Sequence, residues 1–341
     1  MNVATATDAK RERANTNGGP LVCVEELQVS FVSRDATVHA VNGVNFTLAP
    51  GEVLCILGES GSGKSVMLRA MMRLLPPHRT RLGGRITIGG RNVMDLGRNA
   101  LSDLRGSEVA MIFQEPMTAF DPVFTIGNQI IETVKRHDGL SESAARKRAL
   151  ELLEMVQIPS PERRLDNYPH EMSGGMRQRA MIALALSCRP NLLLADEPTT
   201  ALDATVQIQI LQLLRKLQRE LGMAVLFVTH DVGVAVEISD RIAVMYAGRF
   251  VETGPVRRII RDPQHPYTQG LLASTVHGAM RGRRLEAIPG SPVNLAELPP
   301  GCAFAPRCKH ADTACQAAVP PETWLDPTRM ARCIKVKAVS G

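Results

Sequence analysis

Hydrophobic positions recur along this chain in two textures. Residues 21–31 and 41–48 alternate weakly between apolar and polar, the two-residue period of half-buried strands in an antiparallel piece. Val53-Leu54-Cys55-Ile56-Leu57 is apolar without interruption, which predicts a strand buried on both faces. A glycine-rich loop comes next, and residues 66–72 then take on a helical pattern. Residues 109–113 read as another buried strand. From Gln114 to Pro190 the texture becomes helical: Ala149, Leu152, Leu153 and Val156 fall at i, i+3, i+4 and i+7, behind Ser141 as an N-cap. Strand runs return at 192–195, 224–228 and 242–246. The helix between the first two carries Val206, Ile210, Leu213, Leu214, Leu217 and Leu221 on one face and ends at Gly222. Strands alternating with helices predict a parallel α/β sheet, and the helical middle reads as an insertion into it. Beyond Gly254 the chain turns proline-rich and cysteine-rich, which predicts a second, small domain. No internal repeat is visible, so one such core is expected.

The length of 341 residues fits two compact units, or one large unit with an appendage. No apolar run approaches the ~18–20 residues needed to span a bilayer, so the chain is not expected to cross a membrane itself. Met1 to Pro20 are polar and lack the apolar stretch of a secretory signal, and read as a frayed tail of a protein that is not exported. Lys and Arg number 40 against 34 Asp and Glu, a net +6 that by itself selects no partner. Seven cysteines without an export signal imply a reducing compartment, where structural disulfides are not expected. Cys23, Cys55 and Cys188 lie in apolar surroundings and read as small core residues. The other four crowd between Cys302 and Cys333.

The loop after the first buried strand reads Gly58-Glu59-Ser60-Gly61-Ser62-Gly63-Lys64-Ser65, the phosphate-binding pattern G-x-x-x-x-G-K-S. Its glycines let successive backbone N–H groups curl around a β-phosphate, and the helix after it adds positive potential. Lys64 has the reach for β/γ-phosphates, and the Ser65 hydroxyl suits Mg²⁺. The strand at 192–195 ends in Asp196-Glu197: Asp196 suits Mg²⁺, and Glu197 suits polarisation of an attacking water. Gln114 and His230 each come directly after a strand and should emerge at the carboxyl edge of the sheet, where ligands of such folds sit. There Gln114 would orient the water or Mg²⁺, and His230 would hydrogen-bond the γ-phosphate. Ser173-Gly174-Gly175-Met176 opens a helix and supplies a second anion-binding helix terminus.

The phosphate loop, Gln114, the Ser173-Gly174-Gly175-Met176 signature, Asp196-Glu197, Asp203 and His230 stand in the order and approximate spacing of an ATP-binding-cassette ATPase, and residues 21–254 resemble that family. The resemblance implies a P-loop α/β core with an antiparallel β subdomain and a helical subdomain at about 114–190. It also implies a head-to-tail dimer with ATP between the phosphate loop of one cassette and the signature of the other. Ser173, Gly174 and Gly175 would then contact the γ-phosphate across the dimer, and Asp203 would link the two sites. The fifth signature position, often Gln in the family, is Met176 here; the contacts come from backbone and serine, so little loss is expected. Phe31 is the nearest candidate for an aromatic stacked on adenine.

Asp262-Pro263-Gln264-His265-Pro266-Tyr267-Thr268, the signature helix and the cysteine cluster resemble the oligopeptide/dipeptide importer ATPases, with 255–341 as their C-terminal domain. That resemblance implies an ATP-hydrolysing, energy-coupling subunit, peripheral on the cytoplasmic face of a bacterial inner membrane. Its partners would be two transmembrane permease subunits, a second ATPase subunit (a paralogue or itself), and a periplasmic or extracellular solute-binding protein. Nucleic acid is not an expected partner, because a soluble cassette acting on DNA or ribosomes usually carries two cassettes, special insertions or basic arms. Nickel, glutathione or another small solute remains an alternative cargo.

Cys302, Cys308, Cys315 and Cys333 are spaced C-x5-C-x6-C-x17-C. Four thiolates invite zinc or an iron–sulfur cluster, and every interval is wider than the tight knuckles of zinc sites. The importer resemblance favours a [4Fe–4S] cluster, with Zn²⁺ as the runner-up.

Overall fold

The computed structural model describes residues 19–200, 202–274 and 287–336, and the chain divides into two compact units. Except for its last two residues, the expected frayed tail lies outside the described residues.

One unit comprises Leu48–Glu52 and Thr87–Phe227 together with the described residues up to Val22. Its strands Val109–Ile112 and Leu192–Asp196 are fully buried, as their uninterrupted apolar sequences require, and pair in parallel with Ile112 opposite Ala195. Strand Ala224–Thr229 neighbours Leu192–Asp196 on its other side, and its first four residues belong to this unit. All the chain between the two paired strands is helix and connection. Ile126–Asp138, Glu142–Met155 and Gly174–Ala185 pack on one another, with Ile130, Val134, Ala149, Leu152, Leu153 and Ile182 buried. Ser141 caps Glu142–Met155 by accepting the Ala144 N–H, as its position predicts. The amphipathic helix Ala204–Leu221 buries Ile210, Leu213, Leu214 and Leu217 and closes at Gly222.

The second unit comprises Cys23–Thr47, Val53–Ile86 and the chain from Val228. Strands Thr37–Leu48, Val22–Val32 and Thr80–Ile88 lie side by side in that order. Cys23 is half-exposed rather than a core residue, because the strand alternation turns Val22 and Val24 inward on either side of it. Strand Val53–Leu57 pairs in parallel with Arg241–Tyr246, which continues by an antiparallel turn into Arg249–Pro255.

The cysteine-rich domain expected beyond Gly254 does not stand apart as its own compact unit. Arg329–Ala331 pairs antiparallel with Arg249–Pro255, Thr253 opposite Met330, and Thr323–Asp326 pairs in turn with Arg329–Ala331. The late strands therefore widen the sheet that carries the phosphate loop. The fully buried Glu252 ties the join: it accepts the N–H groups of Gln264 and His265, both at 2.9 Å, and pairs with Arg329 at 3.2 Å. Those bonds satisfy a buried carboxylate that would otherwise be costly.

Candidate functional site

In the second unit the phosphate loop runs from the end of strand Val53–Leu57 into helix Lys64–Met71. Two of its glycines, Gly58 and Gly63, are fixed by close backbone approach. A Cβ on Gly58 would lie 2.3 Å from the Met245 carbonyl oxygen. One on Gly63, where φ is 106°, would lie 2.2 Å from the Ala40 oxygen. Lys64 is buried, and its Nζ donates to the carbonyl oxygens of Gly58 and Glu59, each at 2.8 Å. The loop is thus drawn around the lysine amine, with Ser62 buried beside it. Ser65 is the second residue of the helix. His230 directly succeeds strand Ala224–Thr229 and is exposed, ahead of a short helix capped by Asp231. Phe31 lies near the end of strand Val22–Val32, half-buried.

The other unit holds the remaining residues. Asp196 is fully buried at the last position of its strand. Gln114 and Glu197 each sit two residues beyond the paired Ile112 and Ala195, so both leave the same edge of that parallel pair. Glu197 adopts the left-handed region at φ 46°, and its Oε2 accepts the Thr200 hydroxyl at 2.9 Å. Ser173 caps helix Gly174–Ala185 by accepting the Met176 N–H, and Ser173 and Gly174 are exposed at that helix start. Asp203 caps Ala204–Leu221 by accepting the Val206 N–H at 3.0 Å. A Cβ on Gly175 would lie 3.0 Å from Val206 Cγ1, so the signature and the Asp203 turn are brought together.

Cys302, Cys308, Cys315 and Cys333 line one small pocket with His265, Phe304 and His310. Burial first, then the neighbouring thiols of Cys333 and Cys315, push the Cys302 thiol above its ordinary value. Cys333 is raised in the same way, with Cys308 and Cys315 as its neighbours. Among the described residues, no three His, Cys, Asp or Glu side chains converge as the ligands of a single ion. The four thiols therefore share a pocket without converging on one metal position, whether for zinc or for a cluster.

Two contacts to the loop are not visible in the sequence motifs. The Glu59 N–H donates to the hydroxyl of Tyr267 at 2.9 Å, and the Glu59 carboxylate is paired with Arg307. Tyr267 comes after Pro266 at the start of helix Pro266–Ala273, where the sequence alone suggests a turn. The signal for Arg307 was an arginine set among Phe304, Pro306 and Cys308, where a charge needs a partner.

A phosphate loop on a parallel strand, with a helical insertion and a glycine signature, defines a P-loop nucleotide-binding core. Residues 41–200 match the family model described as ABC transporter, and residues 251–315 match the oligopeptide/dipeptide transporter C-terminal region. The chain is 48% identical over 337 residues to a putative peptide import ATP-binding protein of Brucella abortus (strain 2308), covering 94% of this chain and 99% of that one. A probable peptide ABC transporter ATP-binding protein of Sinorhizobium fredii is 47% identical over 326 residues, covering 95% and 97%. Among solved structures, the dimeric ATP-binding cassette MJ0796 in a post-hydrolysis state bound to ADP and Pi aligns with a TM-score of 0.62 and 32% identity, over 69% of this chain and 99% of that one. The cassette cbiO1 from Clostridium perfringens, part of the transporter complex cbiONQ, gives 0.61 and 30%, over 71% and 91%. The chain belongs to the ABC transporter family.

Proposed function

We propose that this chain is the ATP-hydrolysing, energy-coupling subunit of an importer for di- and oligopeptides. One observation carries this most: an ABC cassette and the oligopeptide/dipeptide transporter C-terminal region occupy the same polypeptide. Its relatives of near-equal length bear peptide-import names.

In this reading the backbone of residues 58–65 cradles the triphosphate, and Lys64 turns its amine from the loop carbonyls toward the β/γ-oxygens. Asp196, Ser65 and Gln114 would hold the Mg²⁺ that accompanies ATP, which would supply neutralisation of phosphate charge; a fully buried carboxylate at a strand end suits a hard cation. Glu197 takes the proton of the attacking water, and His230 donates to the γ-phosphate. Ser173, Gly174, Gly175 and Met176 serve the ATP of a second cassette, and Asp203, whose neighbours Leu202 and Val206 lie against that helix start, joins the two sites. Phe31 is the candidate for adenine stacking.

No helix among the described residues is long and apolar enough to cross a membrane. In this reading the pathway for cargo belongs to two separate permease subunits, the partners a peptide-importer ATPase implies. A solute-binding protein outside the membrane completes the system, and the chain works as a peripheral subunit on the cytoplasmic face. Co-purification from detergent-solubilised membranes tests this: two multi-span proteins and a second cassette should accompany the chain.

The cysteine-bearing segment is the site of a [4Fe–4S] cluster. The support is that four thiols line one pocket, together with the resemblance of this region to the oligopeptide/dipeptide transporter C-terminal region. Bound there, a cluster would supply a cross-link along the segment from Cys302 to Cys333 and would take the thiols as thiolates. Protein purified without oxygen should be brown and contain about four irons per chain. Colourless, iron-free protein would overturn the cluster.

A further inference from the structure

We propose that Arg307 is a positioning residue of the phosphate loop, which holds Glu59 in place and cancels its charge against the bound triphosphate. Glu59 is the second residue of the loop. Its carboxylate is taken by both ends of the Arg307 guanidinium, Nη1 to Oε2 at 2.7 Å and Nη2 to Oε1 at 3.1 Å. The same guanidinium is aimed by its surroundings: Nε donates to the Pro289 oxygen at 2.9 Å, and its carbon lies 5.9 Å from the rings of Tyr246 and Phe304. The Arg307 side chain is 4% exposed and that of Glu59 28%, so the pair is partly sheltered from water, and its forked geometry makes it worth more than a fully exposed ion pair.

The backbone of Glu59 is gripped as well. Its N–H donates to the Tyr267 hydroxyl, and Tyr267 is fully buried against Tyr246 and Phe304, with ring centroids 4.6 and 5.4 Å away. Its carbonyl oxygen accepts from Lys64 Nζ. One residue therefore joins the lysine that meets the phosphates to a clamp built from Tyr246, Tyr267, Phe304 and Arg307. Given the ATP-binding role proposed above, on which this assignment rests, an unpaired Glu59 carboxylate would stand within the loop that must collect the charge of a triphosphate. A bare carboxylate there repels ATP. Arg307 removes that repulsion and keeps the Glu59 carbonyl where Lys64 needs it.

A purely structural ion pair would make a different prediction, and two substitutions separate them. Equilibrium binding of ATP, measured by titration calorimetry on the full chain, should be weakened roughly tenfold by Arg307→Gln, and the loss should shrink as ionic strength rises. Adding Glu59→Gln to that variant should bring affinity back to within about threefold of wild type, because the uncompensated charge is gone. The double variant leaves no buried charge unpaired, so it serves even if Arg307→Gln alone does not fold. A double variant still tenfold weaker than wild type, or an Arg307→Gln protein that binds ATP as tightly as wild type, would overturn the proposal. Wild-type protein that does not bind ATP would overturn the ATPase function itself, and this role with it.

Discussion

Glu197→Gln should bind ATP with near wild-type affinity and hydrolyse it about 10²–10⁴ times more slowly, the usual contribution of a positioned general base. The side chain leaves the strand end two residues beyond Ala195, on a backbone in the left-handed region. Its carboxylate accepts the Thr200 hydroxyl on the local turn, a bond an amide oxygen can also accept. Shape and that local bond therefore survive the substitution, while the basic oxygen does not. With ATP bound and uncleaved, two cassettes should remain associated, detectable as a nucleotide-dependent dimer by size-exclusion chromatography. Turnover at the wild-type rate would remove Glu197 from its role.

Lys64→Ala should act one step earlier. The ammonium is buried within the loop and bonded to two carbonyl oxygens, so it is held at the place where the phosphates arrive. Losing charge-assisted contacts to two phosphate groups weakens ATP binding by roughly a hundredfold. Hydrolysis at saturating ATP falls as well, since the same charge serves the developing γ-phosphate. Titration of the variant with ATP checks this, and unchanged affinity would contradict the assignment. The two variants differ in kind: Glu197→Gln keeps ligand and loses chemistry, whereas Lys64→Ala loses ligand.

The parts of this site that were legible in the sequence are those dictated by local backbone geometry. Gly58 and Gly63 are demanded by carbonyl oxygens at 2.3 and 2.2 Å, and such demands leave a spacing of glycines that survives in one dimension. Ser141 and Ser173 read as helix starts because capping is decided within three residues. The buried strands at 53–57, 109–112 and 192–196 announce themselves by unbroken apolar runs. What remained hidden depends on distant partners. Arg307 and Glu59 are 248 positions apart, and neither residue type alone indicates the other. The same holds for the late strands: Thr323–Asp326 and Arg329–Ala331 are four and three residues long, too short to show a period. Their pairing with Arg249–Pro255 is made by backbone groups that every residue carries, so the expected separate domain became an extension of an existing sheet. Cys23 was misplaced for a simpler reason: apolar neighbours two apart face one way, and the residue between them faces the other.

Affinity purification of the full chain from detergent-solubilised membranes bears most directly on its role as the motor of an importer. The expected result is recovery with two multi-span membrane proteins and a second cassette subunit, in an assembly whose ATP hydrolysis is lost when the chain carries Glu197→Gln. Recovery with ribosomes or DNA alone, and no membrane protein, would contradict it.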